Sequence, residues 1–260
     1  MTMRARGWSA ALLLAASCAP SLRTGGSAPL PLSDCTLPGV AGAVRCGVVH
    51  VAEDSLAPGG RTVPLFVAVL PATGQRLGDP LFFLSGGPGQ APSDQAEFVA
   101  SLFAALRPSR DLVLVDLRGT GRSAALDCDF HGGEPGRVMG EPFPVAAVRA
   151  CRDSLSRRAD LRLYTTGRAM RDLEQVRHAL GYERINLYGT SYGTRAALEY
   201  ARRYPSRVRS MILRGVTPPS LVVPLPFARD AQRSLDLLFD ECRSDGACRA
   251  AYPDLPATSV

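Results

Sequence analysis

The stretch from Ile185 to Thr194 constrains this chain more than any other. An apolar run, Ile185-Asn186-Leu187-Tyr188, stops at Gly189-Thr190-Ser191-Tyr192-Gly193, and Ala196, Ala197, Tyr200 and Ala201 then recur at helical spacing. A serine on a sharp strand-to-helix turn is lifted above the end of a sheet, and the flanking glycines are needed because a side chain there would collide with the neighbouring strand or helix. The N–H groups that open such a helix point toward the place where negative charge develops on an attacked carbonyl. The five-residue pattern alone also occurs in plain turns. The strand before it and the helix after it are what mark a nucleophile elbow with Ser191 as the nucleophile.

A second glycine-rich turn precedes it. Pro80-Leu81-Phe82-Phe83-Leu84 is a continuous apolar run of the kind buried on both faces in a parallel sheet, and it ends at Ser85-Gly86-Gly87-Pro88-Gly89. This turn lacks the Lys-Ser/Thr of a phosphate loop and the spacing of a dinucleotide site. With an elbow downstream it suits an oxyanion hole, Gly87 supplying one backbone N–H, since Pro88 has none, and Tyr192 the other. A helical pattern from Asp94 to Leu106 and a strand from Leu112 to Val115 follow, which makes a βαβ unit. That strand ends in Asp116-Leu117-Arg118-Gly119-Thr120-Gly121-Arg122-Ser123, where Asp116 and Arg118 are expected to hold the loop by local ion pairs and hydrogen bonds.

The other elements read more simply. Arg45–Val51 and Thr62–Leu70, separated by Ala57-Pro58-Gly59-Gly60, predict an antiparallel hairpin. Phe130 to Phe143 reads as a polar surface loop between Cys128 and Cys151. Helices are expected over 145–157 and 168–180, the second burying Ala169, Leu173, Val176 and Leu180 and leaving His178 in solvent. Val208 to Leu213 is expected to be another buried strand. After Thr217-Pro218-Pro219 an amphipathic pattern from Phe227 to Phe239 leads to a loop between Cys242 and Cys248.

Taken in order, Gly86-Gly87-Pro88-Gly89, Asp116 to Ser123 and Gly189 to Thr194 resemble the exported α/β-hydrolases related to proline iminopeptidase and tripeptidyl aminopeptidase. Tyr164-Thr165-Thr166, Asp172-Leu173-Glu174 and Tyr204-Pro205-Ser206-Arg207-Val208-Arg209 extend the resemblance, which runs from about Cys35 to the C-terminus. Ser85 departs from it, standing where the iminopeptidases usually have histidine. The resemblance implies an α/β-hydrolase fold with a mostly parallel sheet, an N-terminal antiparallel hairpin and the start of a helical lid. It also implies a serine peptidase without a cofactor, acting on short peptides from a free N-terminus through an acyl-enzyme. The corresponding layout is an export signal over 1–17, a tether over 18–34, the core over 35–217 and the lid from 218 to 260. Glu241 and Asp245 fall in that lid, where acids can attract a substrate ammonium but are more commonly plain surface groups.

The family's order of triad residues is Ser, Asp, His, yet no histidine follows Ser191. His50 falls on the hairpin, His131 in the polar loop and His178 on a helix. Two readings therefore stand: a piece of a serine peptidase whose Asp, His and C-terminal strands lie elsewhere, or a short product without catalysis. An esterase of the same fold and a non-catalytic surface lipoprotein are the alternatives in function.

Composition bears on location. Arg4 and Arg6, then an apolar run from Trp8 to Ala16 too short to span a bilayer, predict an export signal. Leu14 to Cys18 resembles a bacterial lipoprotein signal, with Cys18 the acylated residue and the only link to a membrane; Ala15 stands where leucine is usual. A cell-envelope lipoprotein is expected, with cleavage after Ser17 and a soluble secreted or periplasmic form as the alternative. The six other cysteines form sequence-local couples, Cys35 with Cys46, Cys128 with Cys151 and Cys242 with Cys248, although 15 pairings are possible. An even remainder in an exported chain favours disulfides. No Cys-x-x-Cys occurs and the three histidines are far apart, so no metal site is expected. All 30 basic residues are arginine and are scattered among 24 acids, which argues against a nucleic-acid surface in spite of the net charge of +6.

Overall fold

The structure, a computed structural model, describes residues 30–130, 141 and 143–258. The expected export signal, Cys18, most of the tether and His131 lie outside the described residues. One seven-stranded sheet organises the rest. Its strands are β1 (Ser33–Cys35), β2 (Val44–Ala52), β3 (Thr62–Leu70), β4 (Leu81–Leu84), β5 (Leu112–Val115), β6 (Ile185–Thr190) and β7 (Val208–Arg214), in spatial order β1-β2-β3-β5-β4-β6-β7. β5, β4, β6 and β7 run parallel, and β1, β2 and β3 join antiparallel to one another and to β5. The expected hairpin is β2–β3, with His50 opposite Pro64. Ser33 and Asp34, at the end of the expected tether, belong to β1.

The short apolar runs become central strands because both faces are covered. Side chains alternate across a strand, so Phe82, Leu84, Val113, Val115, Ile185 and Leu187 point to one face. There they meet Ala169, Met170, Leu173 and Val176 of α3 (Thr166–Ala179) and Ala196, Ala197 and Tyr200 of α4 (Tyr192–Arg203). Leu81, Phe83, Leu112, Leu114 and Tyr188 take the other face, against Ala96 and Val99 of α1 (Ala96–Leu102) and against Phe103. Phe83 stacks on Tyr188 at 5.7 Å and Phe103 meets Tyr188 edge-on at 5.0 Å. α1 is shorter than its apolar pattern, because Pro92–Gln95 forms a 3-10 turn ahead of it and the chain leaves helical geometry after Leu102.

Two expectations are corrected. β7 is not a buried strand: among the described residues β6 is its one neighbour, Met211 and Leu213 pack partly against the core, and Ile212 is 53% exposed on the opposite side. Sequence shows that a strand is apolar but not how far each of its faces is covered. Cys242 and Cys248 do not bracket a loop; Cys242 sits in the last turns of α5 (Phe227–Ser244) and Cys248 in α6 (Gly246–Ala251), and their disulfide pins two helices at a sharp bend. Asp245 caps α6, accepting from the N–H of Cys248 at 2.7 Å. Cys35–Cys46 joins β1 to β2, and Cys128–Cys151 anchors α2 (Val145–Leu155). A last short helix, α7, spans Leu255–Thr258.

Candidate active site

The chain moves from β4 one way to β5 and then back across β4 to β6, so β4 and β6 are adjacent strands whose C-terminal ends flank a reversal in strand order. Such reversals are where open α/β sheets open a crevice for ligands. The glycine-rich turn leaves β4 at this point and the elbow leaves β6.

Ser191 has φ 54° and ψ −121°, a region that L-residues rarely occupy, and its side chain lies in an exposed residue. The neighbouring packing enforces the turn. A Cβ on Gly193 would come within 2.0 Å of the Leu84 carbonyl oxygen, and one on Gly189 within 2.4 Å of the Gly193 oxygen. The Ser191 N–H donates to the Arg214 carbonyl at 2.9 Å, and the Thr194 hydroxyl donates to the Ser191 carbonyl at 2.6 Å while accepting from the Thr217 N–H at 2.8 Å. The two glycine-rich turns are in direct apposition: a Cβ on Gly86 would stand 3.3 Å from the Ser191 Cβ. Tyr192 is the first residue of α4, so its N–H has no carbonyl of the helix to bond. Gly87 has φ 101°, which only glycine adopts readily.

The charged residues after β5 do structural work. Asp116 is wholly buried and accepts from the Ser93 N–H (3.0 Å), the Ser93 hydroxyl (2.8 Å) and the Arg122 N–H (2.9 Å). Arg118 corrects the expectation of a local ion pair, because its partner is distant in sequence. It forks onto Asp172 of α3 at 2.6 and 2.8 Å and donates to the carbonyls of Glu53, Leu163 and Ala52. One guanidinium therefore ties the end of β2, the segment before α3 and α3 itself. Tyr164 donates to Glu53 at 3.1 Å; burial, reinforced by the Glu53 charge, pushes its pKa up to about 12 and keeps it a neutral donor.

A cavity of about 540 Å³ lies beside the elbow, between the β4 turn, the loop after β5, the start of α3 and Tyr192. Sequence reading missed it, because its wall comes from four segments that only the fold brings together. Ser85 lines it, and its buried hydroxyl has no hydrogen-bond partner among the described residues.

The described histidines do not converge on Ser191. His50 is exposed on β2, three strands from β4 in the sheet order. The start of α3 meets the elbow, with the hydroxyls of Thr166 and Tyr192 2.8 Å apart. His178 lies twelve residues further along that helix, about 18 Å away at 1.5 Å per residue. Among the described residues, no group of three or more His, Cys, Asp or Glu side chains could hold a metal ion, and no helix is long and apolar enough to cross a membrane.

A parallel-stranded core with helices on both faces, a strained serine at the end of β6 and a glycine turn packed against it define an α/β-hydrolase. The family model for the alpha/beta hydrolase fold matches residues 79–244, and the chain belongs to that family. Among curated proteins it is similar to the serine protease Hip1 of Mycobacterium tuberculosis, 29% identical over 240 residues that cover 85% of this chain and 46% of that one. It is also similar to the tripeptidyl aminopeptidase of Streptomyces coelicolor, at 31% over 193 residues, 68% of this chain and 36% of that one. A solved proline iminopeptidase from Mycobacterium smegmatis is 22% identical, covering 64% of this chain and 42% of its own with a TM-score of 0.41. The chain spans less than half the length of these relatives.

Proposed function

We propose that this chain provides the nucleophile half of an exported serine hydrolase, an aminopeptidase that releases one or a few residues from peptide N-termini. The observation that carries the reading is the strained Ser191 at the head of α4, packed against the glycine turn that follows β4. Ser191 Oγ attacks the scissile carbonyl, its proton passes to a histidine base and then to the leaving amine, and water hydrolyses the acyl-enzyme. The N–H groups of Gly87 and Tyr192 hold the oxyanion, and loss of one such donor typically slows the reaction about 10²- to 10³-fold. Neither His50 nor His178 is placed to be the base, so the reading requires an Asp and a His outside the described residues.

Three disulfides support an oxidising compartment. Together with the N-terminal apolar run they favour export, with Cys18 as the acylated anchor in the cell envelope. The test is hydrolysis by the protein isolated from its native source. Aminoacyl-amides cleaved with a free amino terminus, and lost in Ser191→Ala, support an aminopeptidase. Turnover of simple esters alone would make it an esterase, and turnover of neither would leave a non-catalytic envelope protein.

A further inference from the structure

The parallel strands give the sheet two distinct ends. β4, β5, β6 and β7 all start at one of them, and Ser191 follows the last residue of β6, so the elbow stands at the other, roughly 20 Å away along six residues of strand. The starting end is one continuous surface. The Leu81 N–H donates to the Asp111 carbonyl at 2.9 Å, the Asn186 N–H to the Pro80 carbonyl at 2.8 Å and the Arg184 guanidinium to the Val208 carbonyl at 3.1 Å, which joins the segments leading into all four strands. The end of the expected tether meets this surface as well: the Leu30 N–H donates at 2.8 Å to the carbonyl of Ala179, the last residue of α3.

Arginines scattered along the sequence gather here. Arg110 donates to the Asp79 carbonyl at 2.7 Å, and Arg45, near the start of β2, to the Leu32 carbonyl at 2.8 Å. Like the bond from Arg184 to Val208, these satisfy N–H groups without cancelling the charge. Arg209 stands 3.7 Å from the Asp79 carboxylate with its side chain 57% exposed, and Arg207 is half-buried two residues before it. Of the acids toward this end, Asp111 is paired with Arg76 and Glu174 with Arg177, while Glu199 is shared by Arg202 and Arg203. That leaves Asp34, Asp79 and Glu183 to set against Arg45, Arg107, Arg110, Arg184, Arg207 and Arg209, a clear positive surplus. Toward the elbow end, Arg61, Arg118, Arg162 and Arg168 are instead each paired with a carboxylate.

We infer that the end of the sheet where the parallel strands begin is a docking surface for anionic lipid headgroups, and that the bound protein turns its elbow away from the bilayer, toward substrate in water. Guanidinium groups suit the phosphate oxygens of such headgroups, and each basic residue within a Debye length of the surface adds to the hold. The tether favours a membrane over another polyanion. Cys18 precedes Leu30 by twelve residues, a length that spans at most about 40 Å, so an acyl group at Cys18 keeps the basic end within that distance of the lipid. The choice of a membrane rests on the envelope reading of Cys18, whereas the surface charge does not.

The test is co-sedimentation of the full chain with vesicles of phosphatidylcholine alone and of an equal mixture of phosphatidylcholine and phosphatidylglycerol. An acyl group or apolar leader binds both kinds alike, so the ratio of the two affinities reads the surface charge, and its failure leaves the hydrolase and export readings standing. The anionic vesicles should bind at least tenfold more tightly in about 0.05 M salt, and the ratio should fall toward one in about 0.5 M salt, where screening shortens the reach of each charge. Arg209→Gln should lower the ratio about fivefold, the scale for one basic residue at an anionic surface. Arg162→Gln, the same change of charge toward the elbow end at a side chain 88% exposed, should leave it unchanged. Equal affinity for the two kinds of vesicle, or an equal loss in both variants, would overturn the proposal. Tighter binding to duplex DNA at matched phosphate concentration would also overturn it, assigning the surface to nucleic acid.

Discussion

Ser191 concentrates the conflict between stability and function in one residue. Its backbone sits at φ 54°, ψ −121°, and such conformations cost a non-glycine residue on the order of 1–3 kcal/mol. Glycine removes that strain at the expense of a looser unfolded chain, a smaller effect. Ser191→Gly is therefore expected to be more stable than Ser191→Ala by about 1 kcal/mol in urea unfolding, although both remove the hydroxyl. The elbow was legible in sequence because two glycines flank the serine and a strand and helix enclose them. The reason for each glycine was not: Gly193 is needed because the β4 carbonyl of Leu84 would lie 2.0 Å from any Cβ, a contact made across 109 residues of chain. Arg118 teaches the same lesson, since its partner Asp172 lies 54 positions away and no local pattern links them.

At the level of elements, α3 and α4 are clamped to each other through one acid, Glu174. Tyr200 of α4 donates to Glu174 of α3 at 2.6 Å, and Arg177 donates to the same carboxylate at 2.7 Å. Burial works against ionisation of Glu174, but hydrogen bonds from Arg177 and Tyr200 outweigh it and hold its pKa below the usual 4.5. Hydrogen bonding from Arg202 brings Glu199 down to about 2, with Arg203 adding to it and burial opposing. Both carboxylates thus titrate lower in the folded state than in the unfolded one. Their stabilisation is complete above pH 4.5 and is lost as pH falls from there through the folded values. Unfolding free energy should decline between pH 4.5 and 2, and Glu174→Gln should flatten part of that slope; an unchanged slope would mean the clamp is not responsible. α3 itself was readable from apolar spacing to within two residues at each end. The clamp was not, because it depends on how two helices face each other.

Across the whole molecule, polarity is unevenly distributed. The central strands are covered on both faces, whereas β7 is the outermost of the described strands on its side of the sheet, with Ile212 53% exposed, and Leu225, Phe227, Leu237 and Leu238 are also largely exposed before and along α5. An open strand edge next to apolar side chains favours association. The 260-residue chain should therefore self-associate with rising concentration in light scattering, and Ile212→Lys should reduce it without loss of helix signal. The sequence placed the sheet, its hairpin and the three cysteine couples correctly, because each depends on short-range patterns. It did not assemble the cavity, because that follows from four distant segments meeting.

An activated nucleophile at Ser191 would be reactive toward a phosphonylating reagent. The direct measurement is treatment of the protein from its native source with a fluorophosphonate, followed by peptide mapping by mass spectrometry. The account predicts one adduct, on the peptide that holds Gly189-Thr190-Ser191-Tyr192-Gly193, and none in Ser191→Ala. A folded protein that takes up no label, or takes it up at another residue, would contradict the account.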